Sequence, residues 1–404
     1  MKRSFILISF LFWSNLSFAQ YKNDNVLFKT LDPTLLYKTL QATKGYVLLD
    51  VRSSGEFEDT SSFTGLNLGH LKGAININVR ELAKRLDEIK ADKDKPVFVY
   101  CSHSQRSRVA SKLLADSGFT NVTNVNGGLT SLHYLGEINK PYFKDLYETK
   151  NKFSFISPNE LCDKINTKDA NVFLIDVRSD SLFKHISTLP KDNAIGNIKG
   201  AINIPYEVLK NNLNKISKNK QVILIAPYGE EEAKAATLLL ENGYKNVQVL
   251  AEGVDRWISM NDEAACKGLY LPAGNYSLVS SKDFGKIKDK QNILMLDIRS
   301  TDEFNGTHKD YWRNIGKIKN ALNIPSGEIE NNTAKLESYK NKPVIVYGFS
   351  AGPEAFAAAK YLCSHGFTKV SVLYSGIFDV KWTAANIKGQ SYLKDFVTDI
   401  PDIK

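Results

Sequence analysis

Cysteine is scarce in this sequence, which has only four in 404 residues: Cys101, Cys162, Cys266 and Cys363. Their spacing matches neither a zinc site nor the dense disulfide framework of small secreted domains. In an oxidising compartment Cys162 and Cys266 can form a bridge, but we expect both to be small apolar side chains of the core. A fold held together mainly by disulfides or zinc is therefore excluded.

The sequence also lacks an apolar run of about 20 residues, the length that a membrane-spanning helix needs. The run from Phe5 to Trp13 is shorter, and it lies between two cations and small residues around Ala19. This arrangement is typical of a cleavable secretory signal, here residues 1–19, with the mature chain starting near Gln20. No cysteine lies beside the cleavage point, so we predict an exported protein, periplasmic or secreted, without a membrane or lipid anchor.

Basic blocks interleaved with aromatic residues are absent too, although the net charge is +9. Lysines alternate with Asp and Glu along the chain, which indicates a solvated surface that weakly attracts anions. Nucleic acid is therefore not an expected partner.

What the sequence does contain is one pattern written three times. An apolar run ending in Asp-[Val/Ile]-Arg-Ser occurs as VLLDVRS, FLIDVRS and LMLDIRS, beginning at Val47, Phe173 and Leu294. A second phrase follows each run and reads GHLKGAININ, GNIKGAINIP or GKIKNALNIP. A third apolar run comes next, VFVYC, VILIA or VIVYG, and precedes an Ala-rich helical pattern that ends in a glycine.

The period of this repeat predicts tandem domains. Gly243 and Gly366 lie 125 and 248 residues after the equivalent Gly118, a period too long for a solenoid and suited to domains of about 100 to 200 residues. Short β-branched runs alternate with helical patterns, which predicts an α/β fold with a mainly parallel sheet and helices on both faces. We expect three separate cores. The predicted domains are 20–150, 151–268 and 269–404.

The loop after the third phrase is the place to look for chemistry, because ligands of α/β sheets bind where a strand leads into the amino end of a helix. In the first copy it reads Cys101-Ser-His-Ser-Gln-Arg106-Ser107, and Arg108 follows. A thiol at a strand tip, with curled backbone and two arginines nearby, should be populated as the thiolate near neutral pH. Cys101 is therefore the predicted nucleophile.

The three phrases together resemble the rhodanese superfamily, and Cys101 to Ser107 resembles its active-site loop. The resemblance implies three tandem rhodanese-like domains with sulfurtransferase activity. In this family the cysteine takes a sulfane sulfur from a donor such as thiosulfate, becomes a persulfide, and passes the sulfur to cyanide or a thiol. The implied partners are thus a small sulfur-containing anion and its acceptor, with no metal and no organic cofactor.

The resemblance also assigns roles within the loop. It implies that Cys101 carries the sulfur, that Arg106 organises the loop and the anionic donor, and that backbone N–H groups surround the persulfide. The implied substrate-binding residues are Ser102, His103, Ser104, Gln105, Ser107 and, at the pocket edge, Arg52. Family loops often carry glycine at the position of Ser104, where the backbone conformation is awkward for other residues.

Several of these residues have alternative interpretations. We expect His103 to be a rim residue that tunes substrate choice rather than a proton-transfer group. Arg108 is either a second contact for the anion or a solvated helix residue. The Asp50-Val-Arg52 phrase recurs in copies without a thiol, so its main predicted role is structural, through charge-assisted hydrogen bonds.

The second and third copies lack the nucleophile. Cys101 aligns with Ala226 in the second copy and with Gly348 or Phe349 in the third, and none of these side chains can hold a persulfide. Glu231 replaces Arg106 in the second copy, where three successive acids should repel thiosulfate. Both copies are predicted to be inactive. Cys363 and Cys162 lie in helical patterns away from any strand tip, where a core position is expected.

Two other classes of function remain open. The inactive copies suit a binding or scaffold protein that recruits a protein partner, although an intact Cys-x4-Arg loop in one copy favours catalysis. Some phosphatases and arsenate reductases share this fold, but their loop resembles Cys-x5-Arg and wraps a larger oxyanion. The shorter loop here favours transfer of a single sulfur atom.

Overall fold

The computed structural model describes residues 28–398, apart from 189–192, 194, 228–229, 258–265, 267, 272, 288–291, 311–312, 351–352, 375 and 387–388. The predicted signal segment, residues 1–19, lies outside this part of the chain. Among the described helices, none combines the length and apolar composition that crossing a bilayer requires.

The first domain contains seven strands and four α-helices among the described residues. The strands are β1 Lys29–Leu31, β2 Val47–Asp50, β3 His70–Leu71, β4 Ile75–Asn76, β5 Val97–Tyr100, β6 Val122–Val125 and β7 Tyr147–Glu148. The helices are α1 Leu36–Ala42, α2 Ser54–Phe57, α3 Gln105–Asp116 and α4 Gly128–Tyr134. Short 3-10 turns occupy Pro33–Leu35, Thr64–Leu66, Leu82–Lys84, Leu86–Asp92, Glu137–Asn139 and Pro141–Phe143.

The second domain repeats this order of strands and, among the described residues, has one additional α-helix before its central strand. Its strands are β8 Ser154–Ile156, β9 Val172–Asp176, β10 Asn197–Ile198, β11 Ile202–Asn203, β12 Gln221–Ile225, β13 Val247–Leu250 and β14 Tyr270–Leu271. Its helices are α5 Pro158–Asn166, α6 Asp180–Phe183, α7 Tyr206–Leu209, α8 Glu230–Glu241 and α9 Gly253–Trp257, with a 3-10 turn at Lys210–Lys215.

The third domain does so again. Its strands are β15 Ser277–Val279, β16 Leu294–Asp297, β17 Lys317–Ile318, β18 Leu322–Asn323, β19 Val344–Tyr347, β20 Val370–Leu373 and β21 Val397–Thr398. Its helices are α10 Ser281–Lys286, α11 Thr301–Asn305, α12 Ile329–Asn332, α13 Pro353–Ser364 and α14 Gly376–Asn386. The 3-10 turns lie at Ser326–Glu328, Thr333–Tyr339 and Ser391–Phe396.

Each domain is built on a sheet of five parallel strands with the same order. This order is β1-β6-β5-β2-β4 in the first domain, and β8-β13-β12-β9-β11 and β15-β20-β19-β16-β18 in the others. A two-stranded antiparallel ribbon, β3 with β7, β10 with β14 or β17 with β21, completes each domain. The third-phrase strand is therefore central, and the predicted fold class is confirmed.

Helices cover both faces of the first sheet. Ala110 and Leu114 of α3 belong to one buried cluster, while Leu129 and Leu132 of α4 belong to another. The prediction of three separate cores is wrong, however, because one cluster runs from residues such as Leu161 in the second domain into the third. The buried apolar side chains of the second and third domains therefore form one connected cluster, which removes more apolar surface from water than two separate cores would.

Cys162 and Cys266 form a disulfide across 104 residues. This corrects the expectation that both are unpaired core residues. Chain folding brings α5 next to the segment that follows α9, and sequence spacing alone gave no sign of this proximity. The boundary at residue 268 stays a prediction, and β14, which follows it, pairs with β10 of the second domain.

Candidate active site

Cys101 lies immediately after β5, at the carboxyl end of the central strand of the first sheet. The chain turns through Ser102 and His103 to Ser104, and α3 begins at Gln105. The predicted loop therefore leads from a buried parallel strand into the amino end of a 12-residue helix, where free N–H groups favour negative charge.

Ser104 has a left-handed backbone, with φ of 83° and ψ of −24°. Serine pays a steric penalty in this region that glycine avoids. The backbone conformation is therefore the one expected where family loops carry glycine. It directs the Ser104 N–H at Cys101 Sγ, 3.2 Å away.

The sulfur of Cys101 is held among polar groups at the base of the loop. Its thiol lies 3.5 Å from Ser107 Oγ, and that hydroxyl donates to Asn124 Oδ1 at 2.6 Å. Among the hydrogen bonds of the described residues, the one from a backbone N–H to Cys101 Sγ comes from Ser104. Cys101 is only 1 % exposed, so the sulfur lies at the base of the loop, almost out of contact with bulk solvent.

A second loop, from Asn126 to Gly128, is hydrogen-bonded to the Cys101 loop. Leu129 N–H donates to the carbonyl of Cys101 at 3.0 Å, and Ser104 Oγ accepts a hydrogen bond from the Gly127 N–H. Gly128 has φ of 55°, and a Cβ there would collide with the carbonyls of Cys101 and Ser102. Only glycine permits this close approach of two backbones.

Arg106 binds a carboxylate rather than facing open solvent. Its guanidinium donates to Glu56 through two hydrogen bonds of 2.6 and 2.7 Å, and to Ser102 Oγ at 2.9 Å. Glu56 also accepts from the Ser53 N–H in the capping box of α2. The hydrogen bond with Glu56 raises the pKa of Arg106. Burial alone would raise the pKa of Glu56, but the bonds from Arg106 and Ser53 outweigh burial and lower it.

The other predicted site residues divide into exposed and buried ones. His103 and Gln105 are exposed, whereas Ser102, Ser104 and Ser107 are buried. The side chains of His103 and Gln105 are therefore the ones accessible to a solute. Arg108 donates to Asn126 Oδ1 at 2.9 Å, which ties α3 to the second loop and argues against a purely solvated helix residue.

Arg52 is not on the pocket edge, and that expectation is corrected. The side chain has no exposed surface, because its guanidinium binds the Asp50 carboxylate at 2.7 Å and the carbonyl of Gly69 at 2.6 Å. Arg178 and Arg299 make the same pair with Asp176 and Asp297. The phrase therefore joins the strand to the following loop in every domain.

The equivalent position of the second domain holds Ala226, beneath a buried acid. Glu232 Oε1 accepts from the Ala226 N–H at 2.7 Å. Burial raises the pKa of Glu232 to about 8, so its carboxyl is largely protonated at neutral pH. Burial and the nearby Glu207 also raise the pKa of Glu231.

In the third domain Gly348 takes the position of Cys101. Its carbonyl accepts from Ile377 N–H at 3.1 Å, as the Cys101 carbonyl does from Leu129, which resolves the choice between Gly348 and Phe349. A cavity of about 480 Å³ opens here, lined by Arg299, Glu303, Arg313, Phe349 and other residues. Arg313 pairs with Glu303 at 2.6 Å and so repeats the Arg106–Glu56 pair from a different segment. The cavity contains no cysteine.

Across the described residues, no group of three or more His, Cys, Asp or Glu side chains is arranged to hold a metal ion.

A family model of the rhodanese-like domain matches residues 32–133, 157–260 and 280–383. The chain belongs to this family.

Two curated relatives show how the rhodanese-like similarity is distributed. Thiosulfate sulfurtransferase GlpE of Shewanella oneidensis is 32% identical over 106 residues, which are 26% of this chain and 93% of that protein. The uncharacterized protein YqhL of Bacillus subtilis is 41% identical over 81 residues, 20% of this chain and 56% of its own length. Each match therefore spans one rhodanese-like domain of this chain or part of one, and the chain spans little more than half of YqhL.

Solved structures resemble the rhodanese-like chain only loosely. A thiosulfate sulfurtransferase from Pseudomonas aeruginosa has a TM-score of 0.23 and 15% identity, with 85% of this chain and 66% of that one covered. Reduced CoADR-RHD of Bacillus anthracis has a TM-score of 0.21 and 31% identity, with 25% and 16% covered. With scores this low, neither likeness bears on function.

Sequence reasoning missed Glu56, Asn124 and the loop from Asn126 to Gly128. The Asn-Gly-Gly turn after a β-branched run was a usable signal for a tight approach. Ser53-x-x-Glu56 was a recognisable capping box. That Glu56 also receives Arg106, 50 residues later, was not visible in the sequence.

Proposed function

We propose that this protein is a sulfurtransferase that works through a persulfide on Cys101 of its first rhodanese-like domain. The observation that carries the proposal is the contact between the Ser104 N–H and Cys101 Sγ, in a left-handed turn at the end of a buried strand. Family membership and the sulfurtransferases among the relatives support it.

The reaction has two half-reactions. The Cys101 thiolate attacks the outer sulfur of a donor such as thiosulfate, the sulfur–sulfur bond of the donor breaks, and sulfite leaves with the electron pair. A nucleophilic acceptor, cyanide or a thiolate, then attacks the outer sulfur of the persulfide. The thiolate of Cys101 is released, and neither a metal nor an organic cofactor takes part.

The surrounding groups have separate roles in this proposal. Arg106 holds the loop through Glu56 and presents a half-buried cation to the anionic donor. Ser102, Ser104, Gln105, Ser107 and the exposed His103 complete the substrate-binding loop. The persulfide terminus is an anion, and the N–H of Ser104 and the amino end of α3 stabilise it.

The other two domains have no sulfur carrier at the equivalent position, and we propose that they are inactive and provide contacts for a protein partner. We also propose that the chain is exported to a periplasm or secreted. A reducing cytosol would open the Cys162–Cys266 disulfide, which is a reason to favour an oxidising compartment.

The test is thiosulfate-dependent thiocyanate formation with cyanide as acceptor. Cys101→Ser should abolish turnover, because a hydroxyl does not form a persulfide. Cys363→Ser is the matched control, since it removes the other free cysteine, in α13, and should leave turnover unchanged. Full activity of Cys101→Ser would reject the assignment, and inactivity of the wild-type protein with every sulfane donor would favour a scaffold.

A further inference from the structure

A carboxylate of the second domain lies at the loop of the first. Glu252 Oε1 is 3.3 Å from His103 Nε2, two residues after the proposed nucleophile. The side chains of Glu252 and His103 are 23 % and 52 % exposed respectively, so solvent reaches both. The second domain, which has no sulfur carrier of its own, thus places a negative charge beside the Cys101 loop.

Other contacts surround this pair of side chains and join the two domains. His103 Nε2 also lies 3.3 Å from Thr130 Oγ1, and the Thr130 N–H donates to the Ser102 carbonyl at 3.2 Å. At a second contact between the domains, Thr64 Oγ1 donates to the Glu230 carbonyl at 3.2 Å, where the 3-10 turn Thr64–Leu66 packs against α8. The first and second domains therefore touch at the Cys101 loop and at the Thr64–Leu66 turn.

The backbone of Glu252 is unusual in the same way as that of Ser104. Its φ is 65°, and its equivalent in the first domain is Gly127, with φ of 70°. A non-glycine residue in this region bears a cost of roughly 1–2 kcal/mol. Glycine would remove that cost, so the glutamate at this turn is unfavourable for the backbone and calls for a role of its side chain.

We propose that Glu252 determines the specificity of the second half-reaction by selecting thiol acceptors according to charge. This rests on the persulfide chemistry proposed above. A thiolate attacks the outer sulfur of the Cys101 persulfide, the sulfur–sulfur bond to Cys101 breaks, and the Cys101 thiolate leaves. The remainder of the acceptor extends outward past His103, where Glu252 attracts a cationic group and repels an anionic one.

The magnitude follows from Coulomb's law. A unit charge on the acceptor about 8 Å from the carboxylate, in largely aqueous surroundings, changes the rate by roughly two- to five-fold in each direction. The preference for a cationic over an anionic acceptor should therefore be roughly three- to ten-fold after screening, and it should shrink at high salt.

The experiment uses the full chain loaded with thiosulfate and freed of excess donor. The loaded protein is mixed with cysteamine, a cationic thiol, or with 2-mercaptoethanesulfonate, an anionic thiol of similar size. Mass spectrometry follows the loss of the persulfide sulfur. Each thiol is compared with itself across variants, so differences in thiol acidity cancel.

Glu252→Gln should slow transfer to cysteamine and accelerate transfer to 2-mercaptoethanesulfonate, so that the ratio of the two rates falls by roughly three- to ten-fold. Glu252→Gly should do the same, and it also suits the left-handed backbone, so misfolding does not explain its effect. Glu337→Gln, a charge-matched change on the exposed surface of the third domain, should leave the ratio unchanged.

An unchanged ratio in both Glu252 variants, with normal persulfide loading, would overturn the specificity role and leave the sulfurtransferase proposal standing. Failure of the wild-type protein to load would overturn both.

Discussion

The loops after β5 and β12 occupy the same place in two sheets of identical strand order. In both, a glycine of the second loop lies against the carbonyl at the strand tip, Gly128 at Cys101 and Gly253 at Ala226. In both domains, a buried Asp–Arg pair joins the neighbouring strand, β2 or β9, to the loop that follows it. The backbone frame is thus preserved while the chemistry is not, because the thiol is replaced by a methyl group beneath the buried Glu232.

The third domain shows that the Arg–Glu pair is separable from catalysis. Glu56 and Glu303 both cap a short helix, and each receives an arginine, Arg106 from α3 or Arg313 from the loop before β17. The second domain has Leu182 at this capping position and lacks the pair. The pair therefore stabilises the site region with or without a cysteine.

Among comparisons between domains, the largest difference in activity should be between variants of these two arginines. Arg106→Gln should lower sulfur transfer on the order of 100-fold, the scale of losing one electrostatic contact at an active site. Arg313→Gln should leave transfer unchanged. Both variants leave a buried glutamate short of a partner and should lose about 1–3 kcal/mol of stability, so thermal unfolding supplies the control. Equal losses of activity would mean that Arg106 acts only through folding.

The disulfide distinguishes the second domain from its neighbours. Replacing both Cys162 and Cys266 by alanine should lower the stability of that domain by about 2–4 kcal/mol, because the bridge closes a long loop. Hydrogen exchange resolved by peptide should report faster opening there than in the first domain. Transfer by Cys101 should persist, and its loss would mean that the second domain supports the active loop more strongly than the contacts near Glu252 indicate.

Stability should respond to pH in opposite directions in the first two domains. Burial lowers the pKa of His133 to about 4, so its contribution is complete above pH 6.5 and is lost as the pH falls toward 4. Burial raises the pKa of Glu232 to about 8, so its contribution is complete below pH 4.5 and is lost as the pH rises through 8. At about 1.4 kcal/mol per pKa unit, the upper limits are about 3 kcal/mol for His133 and about 5 kcal/mol for Glu232.

Peptide-resolved hydrogen exchange at several pH values checks both signs. His133→Phe should flatten the acid dependence of the first domain, and Glu232→Gln should flatten the alkaline dependence of the second. The opposite sign in either domain would contradict the burial argument.

Much of this architecture could be predicted from the sequence because the same pattern occurs in it three times. The repeated phrases predicted three parallel sheets, and the loop from Cys101 to Ser107 was located by its place after a central strand. The Glu56 and Glu252 contacts were not predicted, because they join residues 50 and 149 positions apart. The expectation that Cys162 and Cys266 are unpaired was wrong for the same reason, since disulfide pairing depends on distances that only the assembled fold sets.

The smallest expected effect concerns restoring the missing thiol. Introducing Ala226→Cys into the Cys101→Ser protein should give no detectable transfer, because Glu232 contacts the strand tip and Glu231 stands where the first domain has Arg106. Thiocyanate formation is again the assay. Activity of this double variant would mean that the cysteine alone, rather than its surroundings, separates the two domains.

The most direct test of the persulfide on Cys101 is intact-mass and peptide mass spectrometry after incubation with thiosulfate. We expect one added sulfur, about 32 Da, on the peptide containing Cys101, and none in Cys101→Ser. An unmodified Cys101 in the folded wild-type protein, or an added sulfur that persists in Cys101→Ser, would contradict it.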